Sequence, residues 1–116
     1  MLDFSTLLPG PLASLYLAQA GAEVIKVERL GKGDPIREYP PFVDGKSTLF
    51  DLLNRGKYSI ALNLKESHTH EKLVNMISST DILIEQFRPG VMERLMLNYE
   101  LLRAANPGLI YCSISG

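Results

Sequence analysis

At 116 residues the chain falls near the low end of common domain sizes and allows one modest core. A hydrophobic share of 46% with a charged share of 22% is ordinary for a globular protein that folds in water. Twelve basic against thirteen acidic residues leave a net charge of −1. That balance excludes the broad basic surface of a nucleic-acid or anionic-membrane binder, so any anion site has to be local.

Residues 1–5, Met1-Leu2-Asp3-Phe4-Ser5, read as the last part of a strand. Gly10-Pro11 opens a helix, since proline is tolerated in a first turn. Leu12, Leu15, Tyr16, Ala18 and Gln19 follow, and Gly21 is the C-terminal stop. Residues 24–27 form the next strand, which makes a β-α-β crossover unit. Residues 30–47 carry Gly31, Gly33, Pro35, Pro40, Pro41 and Gly45 among charges. They predict a long irregular excursion, and such loops are usually functional or mobile. A short helix over 48–53, a turn over 54–57 and a strand over 59–64 come next. The helix over 66–78 places Leu73, Ile77 and either Met76 or Val74 toward the core. Residues 81–85 are a strand and 91–95 a short helix. A further helix starts at Asn98 or Tyr99 and is stopped by Asn106-Pro107-Gly108, ahead of a last strand over 109–114. This alternation predicts an α/β fold with a mainly parallel, Rossmann-like sheet and helices on both faces. Both ends read as cut, so the chain is expected to be the N-terminal part of a longer protein.

The stretch from Leu83 to Leu95 is the most informative. It passes from an apolar strand through Glu85-Gln86-Phe87-Arg88-Pro89-Gly90 into the helix that carries Arg94. A loop between a strand's C-terminal end and a helix is where an open α/β sheet places ligand-binding residues. Two guanidiniums there suit phosphate oxygens.

Other chemistries lack their signatures. Gly31-Lys32-Gly33-Asp34 is neither a P-loop nor a dinucleotide fingerprint. His68 and His70 sit two apart at the start of a polar helix, point to different faces and read as solvated. No nucleophile elbow and no metal-spaced cluster is visible, so no metal is expected. Cys112, the single cysteine, reads as a buried structural residue of the last strand and fits a cytosolic compartment. No apolar run has the length of a transmembrane helix, and no signal peptide is expected ahead of the fold.

Four segments together resemble the class III CoA-transferase family (CaiB/BaiF-type), which includes the α-methylacyl-CoA racemases. They are Leu8-Pro9-Gly10-Pro11; residues 21–28 with Gly33-Asp34 and Arg37; Asn54-Arg55-Gly56-Lys57 with Leu62-Asn63-Leu64-Lys65; and Phe87-Arg88-Pro89-Gly90 through Asn106-Pro107 to Tyr111 and Gly116. The resemblance implies an acyl-CoA substrate, with coenzyme A as part of the substrate and no tightly bound cofactor. It implies an interlocked homodimer, and neither a nucleic-acid nor a membrane partner. It makes residues 1–116 the partial N-terminal CoA-binding part of a large domain. The family's catalytic aspartate, joined by a histidine in racemases, is expected beyond Gly116, so no catalytic residue is assigned in this chain.

By the same resemblance Arg29 contacts the adenosine end of CoA, Leu62 and Lys65 border the adenine and a phosphate, and Arg94 contacts the phosphates. Gln86 stands where the family often has asparagine, and Phe87 stacks on CoA or fills the core. Leu8 and Pro9 bring the first helix near the thioester, although some transferases carry glutamine at the Leu8 position. Arg29 has a competing role as a surface charge paired with Asp34 or Glu28. The missing glutamine and the Arg88-Pro89-Gly90-Val91 run lean the expectation toward 2-methylacyl-CoA racemisation by α-proton exchange. CoA transfer through an aspartyl-CoA thioester is the first alternative. A non-catalytic nucleotide-binding module and an inactive truncated product are the others.

Overall fold

Five parallel strands form one sheet in the order β5-β2-β1-β6-β7: β1 (Leu2–Asp3), β2 (Ile25–Arg29), β5 (Tyr58–Leu62), β6 (Ile82–Glu85) and β7 (Ile110–Ser113). The structure is a computed structural model and describes residues 1–115. Gly116, which closes the last of the matched segments, lies outside the described residues. A two-stranded antiparallel hairpin, β3 (Phe42–Val43) and β4 (Lys46–Ser47), stands apart from the sheet. The helices are α1 (Pro9–Gln19), α2 (Thr48–Asn54), α3 (Ser67–Ser78), α4 (Val91–Arg94) and α5 (Tyr99–Ala105). Helix α1 packs on α2, and α3 on α5.

Local chemistry sets most boundaries. Helix α1 starts at Pro9, one residue earlier than the sequence suggested, because proline fits the first helical position. It ends with Gly21 at φ +102°, where the Ala22 N–H reaches back to the Leu17 carbonyl. In α2 the Ser47 hydroxyl caps the Phe50 N–H.

Strand periodicity separates two kinds of interior. Leu2, Phe4, Val27 and Leu83 pack with Leu73 and Ile77 of α3, Met92 of α4 and Leu102 of α5 in one apolar cluster. The alternate residues Asp3, Ser5, Lys26 and Glu28 are also buried, on the face that α1 covers.

Two expectations are corrected. The excursion after β2 is not irregular: it holds a 3₁₀ turn, Pro35–Glu38, followed by the β3-β4 hairpin. Arg37 anchors it by pairing with Glu28 of the sheet and stacking its guanidinium 3.6 Å over the Phe50 ring. Cys112 is exposed, not buried. It lies on the edge strand β7, level with Ile84 of β6, on the face where α1 packs against β1 and β6.

Candidate functional site

Because every sheet strand is parallel, all their C-terminal ends meet at one edge. Numbered within the sheet, the strands run 3-2-1-4-5 across it, so the order reverses between β1 and β6. Helices begin to cover the opposite face there, and a crevice opens beyond the strand ends.

The crevice is a cleft of about 690 Å³. Phe4 and Thr6 enter it from β1, Val27 to Leu30 from β2, Leu62 to Lys65 from β5, and Phe87 from β6. The excursion supplies a wall of Lys32, Gly33, Pro35 and Glu38, while Val91 and Leu95 close the far side. The floor of Val27, Leu62, Leu64 and Phe87 is apolar. Arg29, Lys32 and Lys65 at the rim are exposed. Among the described residues none of these three forms an ion pair.

Of the residues singled out from the sequence, the fold brings Arg29, Leu62, Lys65 and Phe87 into this cleft. It leaves Gln86, Leu8, Pro9 and Arg94 out of the lining. The Gln86 Oε1 accepts from the Gly10 N–H at 3.3 Å, tying the entry of α1 to the end of β6. Leu8 and Pro9 are exposed beside that contact. Arg94 leaves the same sheet edge as Arg29 and Lys65, as the parallel reading expects. Its guanidinium lies back over Gly90, where a Cβ would stand 3.2 Å from Nη1. Lys32 was missed in the sequence. Gly31 and Gly33, at φ +82° and +68°, fold the loop so that Lys32 returns to the strand ends.

A buried ionic network lies under the site, and the sequence reading missed that too. Asp3 accepts from the hydroxyls of Ser5 and Ser14 and from the Ser5 N–H. Lys57 Nζ lies 3.4 Å from Asp3 Oδ2 and donates to the Pro11 carbonyl and Asn54 Oδ1, both at 2.9 Å. Its ammonium is therefore buried, unlike the exposed Arg55 of the same turn. Burial pulls its pKa down, against the Asp3 charge that lifts it. Lys26 Nζ pairs with Asp34 Oδ2 at 2.8 Å and donates to the Ser5 carbonyl at 2.8 Å. Glu28 accepts from Arg37 at 2.6 and 2.7 Å, from Ser59 Oγ and from the Asp34 N–H. Burial pushes the Glu28 carboxyl up, but these donors and the Arg37 charge outweigh it and hold the pKa at about 2.

The network decides the status of Arg29. Its two possible partners are taken, Asp34 by Lys26 and Glu28 by Arg37. Adjacent strand residues point to opposite faces, so the Glu28 carboxylate is buried in the network at the base of the cleft while Arg29 stays exposed at its rim. His70 is not freely solvated, since its Nε2 sits 3.0 Å from the Met96 carbonyl. Among the described residues no cluster of His, Cys, Asp and Glu could hold a metal ion, and no helix is long and apolar enough to cross a membrane.

The model of CoA-transferase family III matches residues 1–116, the whole chain. The chain belongs to CoA-transferase family III. It is 46% identical to the acetyl-CoA:oxalate CoA-transferase of Acetobacter aceti, over all of this chain and 30% of that protein. It is 42% identical to the succinyl-CoA:glutarate CoA-transferase of Mus musculus, over all of this chain and 27% of that protein. A CAIB/BAIF family protein from Brucella suis shares the fold in its crystal structure, with a TM-score of 0.92 and 37% identity over 99% of this chain and 32% of that one. The family chain described here thus spans about 30% of the length of these relatives.

Proposed function

We propose that the cleft binds the nucleotide end of an acyl-CoA, and that residues 1–116 are the CoA-binding N-terminal part of a CoA-transferase. The observation that carries this reading is the set of three cations, Arg29, Lys32 and Lys65, unpaired among the described residues, around an apolar floor at the strand-end edge. The floor suits a flat heteroaromatic base, and the rim suits phosphates, which accept charge-assisted hydrogen bonds. Arg94 and Gln86 border this site and would meet the ligand beyond the cleft.

The relatives named above are transferases, which favours CoA transfer between an acyl-CoA and a carboxylic acid. The lean toward racemisation gains nothing from them. Their acids make small dicarboxylates such as oxalate and glutarate the first acceptors to try. Asp3 takes no part in the chemistry on this reading. It is fully buried and already bonded to two serines and Lys57. A homodimer, as the family resemblance implies, belongs to the same proposal.

Calorimetry on the protein as its gene encodes it tests the binding reading. CoA is expected to bind about tenfold or more tightly than dephospho-CoA, and Arg29→Ala and Lys65→Ala to reduce that preference. Unchanged affinity in both variants would remove the reading. Mass spectrometry of acyl-CoA mixed with dicarboxylates would separate transfer, which makes a new thioester, from racemisation, which exchanges the α-proton in deuterated water.

A further inference from the structure

Leu7 has φ +63°, the left-handed region that a branched side chain rarely adopts. It sits between β1 and α1, next to Thr6, which lines the cleft. Its N–H donates to Asp34 Oδ1 at 3.1 Å. Asp34 comes from the excursion after β2, between Gly33 and Pro35, which form the facing wall of the cleft. The carboxylate is fully buried, and both of its backbone hydrogen bonds fall on Oδ1, while Oδ2 has the Lys26 ammonium as an ion-pair partner and no hydrogen-bond donor. Oδ1 also accepts from the Ile36 N–H at 3.0 Å, and Oδ2 pairs with Lys26, which in turn holds the Ser5 carbonyl. One buried side chain therefore joins the two walls and holds a strained residue in one of them.

We infer that Asp34 is a positioning residue for the cleft: its carboxylate clamps the Leu7 backbone and so sets the distance between the Thr6 wall and the Gly33–Pro35 wall. This rests on the reading of the cleft as a CoA site, and it adds a residue that touches no ligand. Backbone strain is retained only where surroundings over-determine it, and here three hydrogen-bonded residues do so. A misplaced wall costs affinity because the rim cations and the apolar floor come from several segments, β2, the excursion and the ends of β5 and β6, and have to be met at once.

The test keeps the charge state of the buried pair constant. Lys26→Met removes the ammonium, and in that background Asp34→Asn retains an acceptor for the Leu7 N–H while Asp34→Leu, of similar shape, does not. Both double variants are made in the full-length protein. They are compared by CoA affinity, by thermal melting, and by hydrogen exchange of the peptide that contains Leu7. The expected result is faster exchange at that peptide and about tenfold weaker CoA binding in the Asp34→Leu variant than in the Asp34→Asn variant. Equal exchange in the two overturns the clamp. Different exchange with equal affinity overturns its role in positioning, as does a loss of affinity that only follows the melting temperature. Failure of the unaltered protein to bind CoA would instead overturn the reading of the cleft, and the exchange comparison would still decide the clamp.

Discussion

The two faces of the sheet are both buried, and they are held by different physics. Under α3, α4 and α5 the interior is a cluster of leucines, isoleucine, methionine and phenylalanine. Under α1 and the excursion it is a chain of ion pairs and hydrogen bonds from Asp3 through Lys57, Lys26 and Asp34 to Glu28 and Arg37. Apolar packing is non-directional and tolerates substitution in proportion to area. A buried ionic network is directional and all-or-none, because one missing partner strands the other's charge. The ionic face fixes the loops that meet the cleft, while the apolar face supplies most of the floor and the cohesion.

The two faces should differ most at Lys26. Lys26→Ala is expected to cost about 3–5 kcal/mol by stranding Asp34. Leu73→Ala on the other face is expected to cost about 2–5 kcal/mol. The pairs should differ in kind. Lys26→Met with Asp34→Asn should cost less than Lys26→Ala alone, whereas Leu73→Ala with Ile77→Ala should cost more than either single change. Chemical denaturation of the set decides, and a Lys26 pair that behaves like the leucine pair would abolish the distinction.

Acid is the next probe, with Glu28 as its target on the ionic face. The Glu28 carboxyl is held at about 2, below its ordinary 4.5. A depressed carboxylate pKa contributes stability that is complete above about pH 4.5 and lost as pH falls toward 2. The unaltered protein should therefore weaken across that window. Glu28→Gln should be less stable at neutral pH and show a flatter profile below pH 4.5. Denaturation midpoints across that range would show whether the two curves converge at low pH.

Glu28 and Arg29 are neighbours in sequence on opposite faces, and they should dissociate cleanly. Arg29→Ala should leave stability within about 0.5 kcal/mol, as for exposed positions generally. It should weaken CoA binding by about tenfold through loss of a charge-assisted contact. The smallest effect is expected at Arg94, exposed outside the cleft lining, where alanine should weaken binding about threefold. Titration calorimetry and thermal melts of the two variants side by side would sharpen or break this ordering.

The order of strands and helices was legible along nearly the whole chain, because each element carries its own signal. Pro9-Gly10-Pro11 and Gly21 bracket α1, and Leu73 and Ile77 mark the inward stripe of α3. The strand-end origin of Arg29, Leu62, Lys65 and Phe87 was legible for the same reason. Lys26, Lys57 and Asp34 were not, since a lysine or aspartate looks like a surface charge until its partner is known. Their partners lie up to 54 residues away, as between Lys57 and Asp3. Cys112 failed in the opposite direction: its apolar neighbours suggested burial, but burial depends on whether a helix reaches the edge strand.

The α/β alternation and the common edge of the strand ends were readable from the chain alone, because they follow from short-range periodicity, turn residues and the rule that parallel strands share one end, while the family rested on the resemblance of four segments that the family model bears out. Which charges are free and which are spent is set by the folded arrangement of the segments. Arg29, Lys32 and Lys65 stand unpaired among the described residues, while Lys26, Arg37 and Lys57 are bound. Those pairings depend on how α1, the excursion and the β5 turn fold onto one face of the sheet. No local pattern encodes a distance between segments that meet only when the chain is folded.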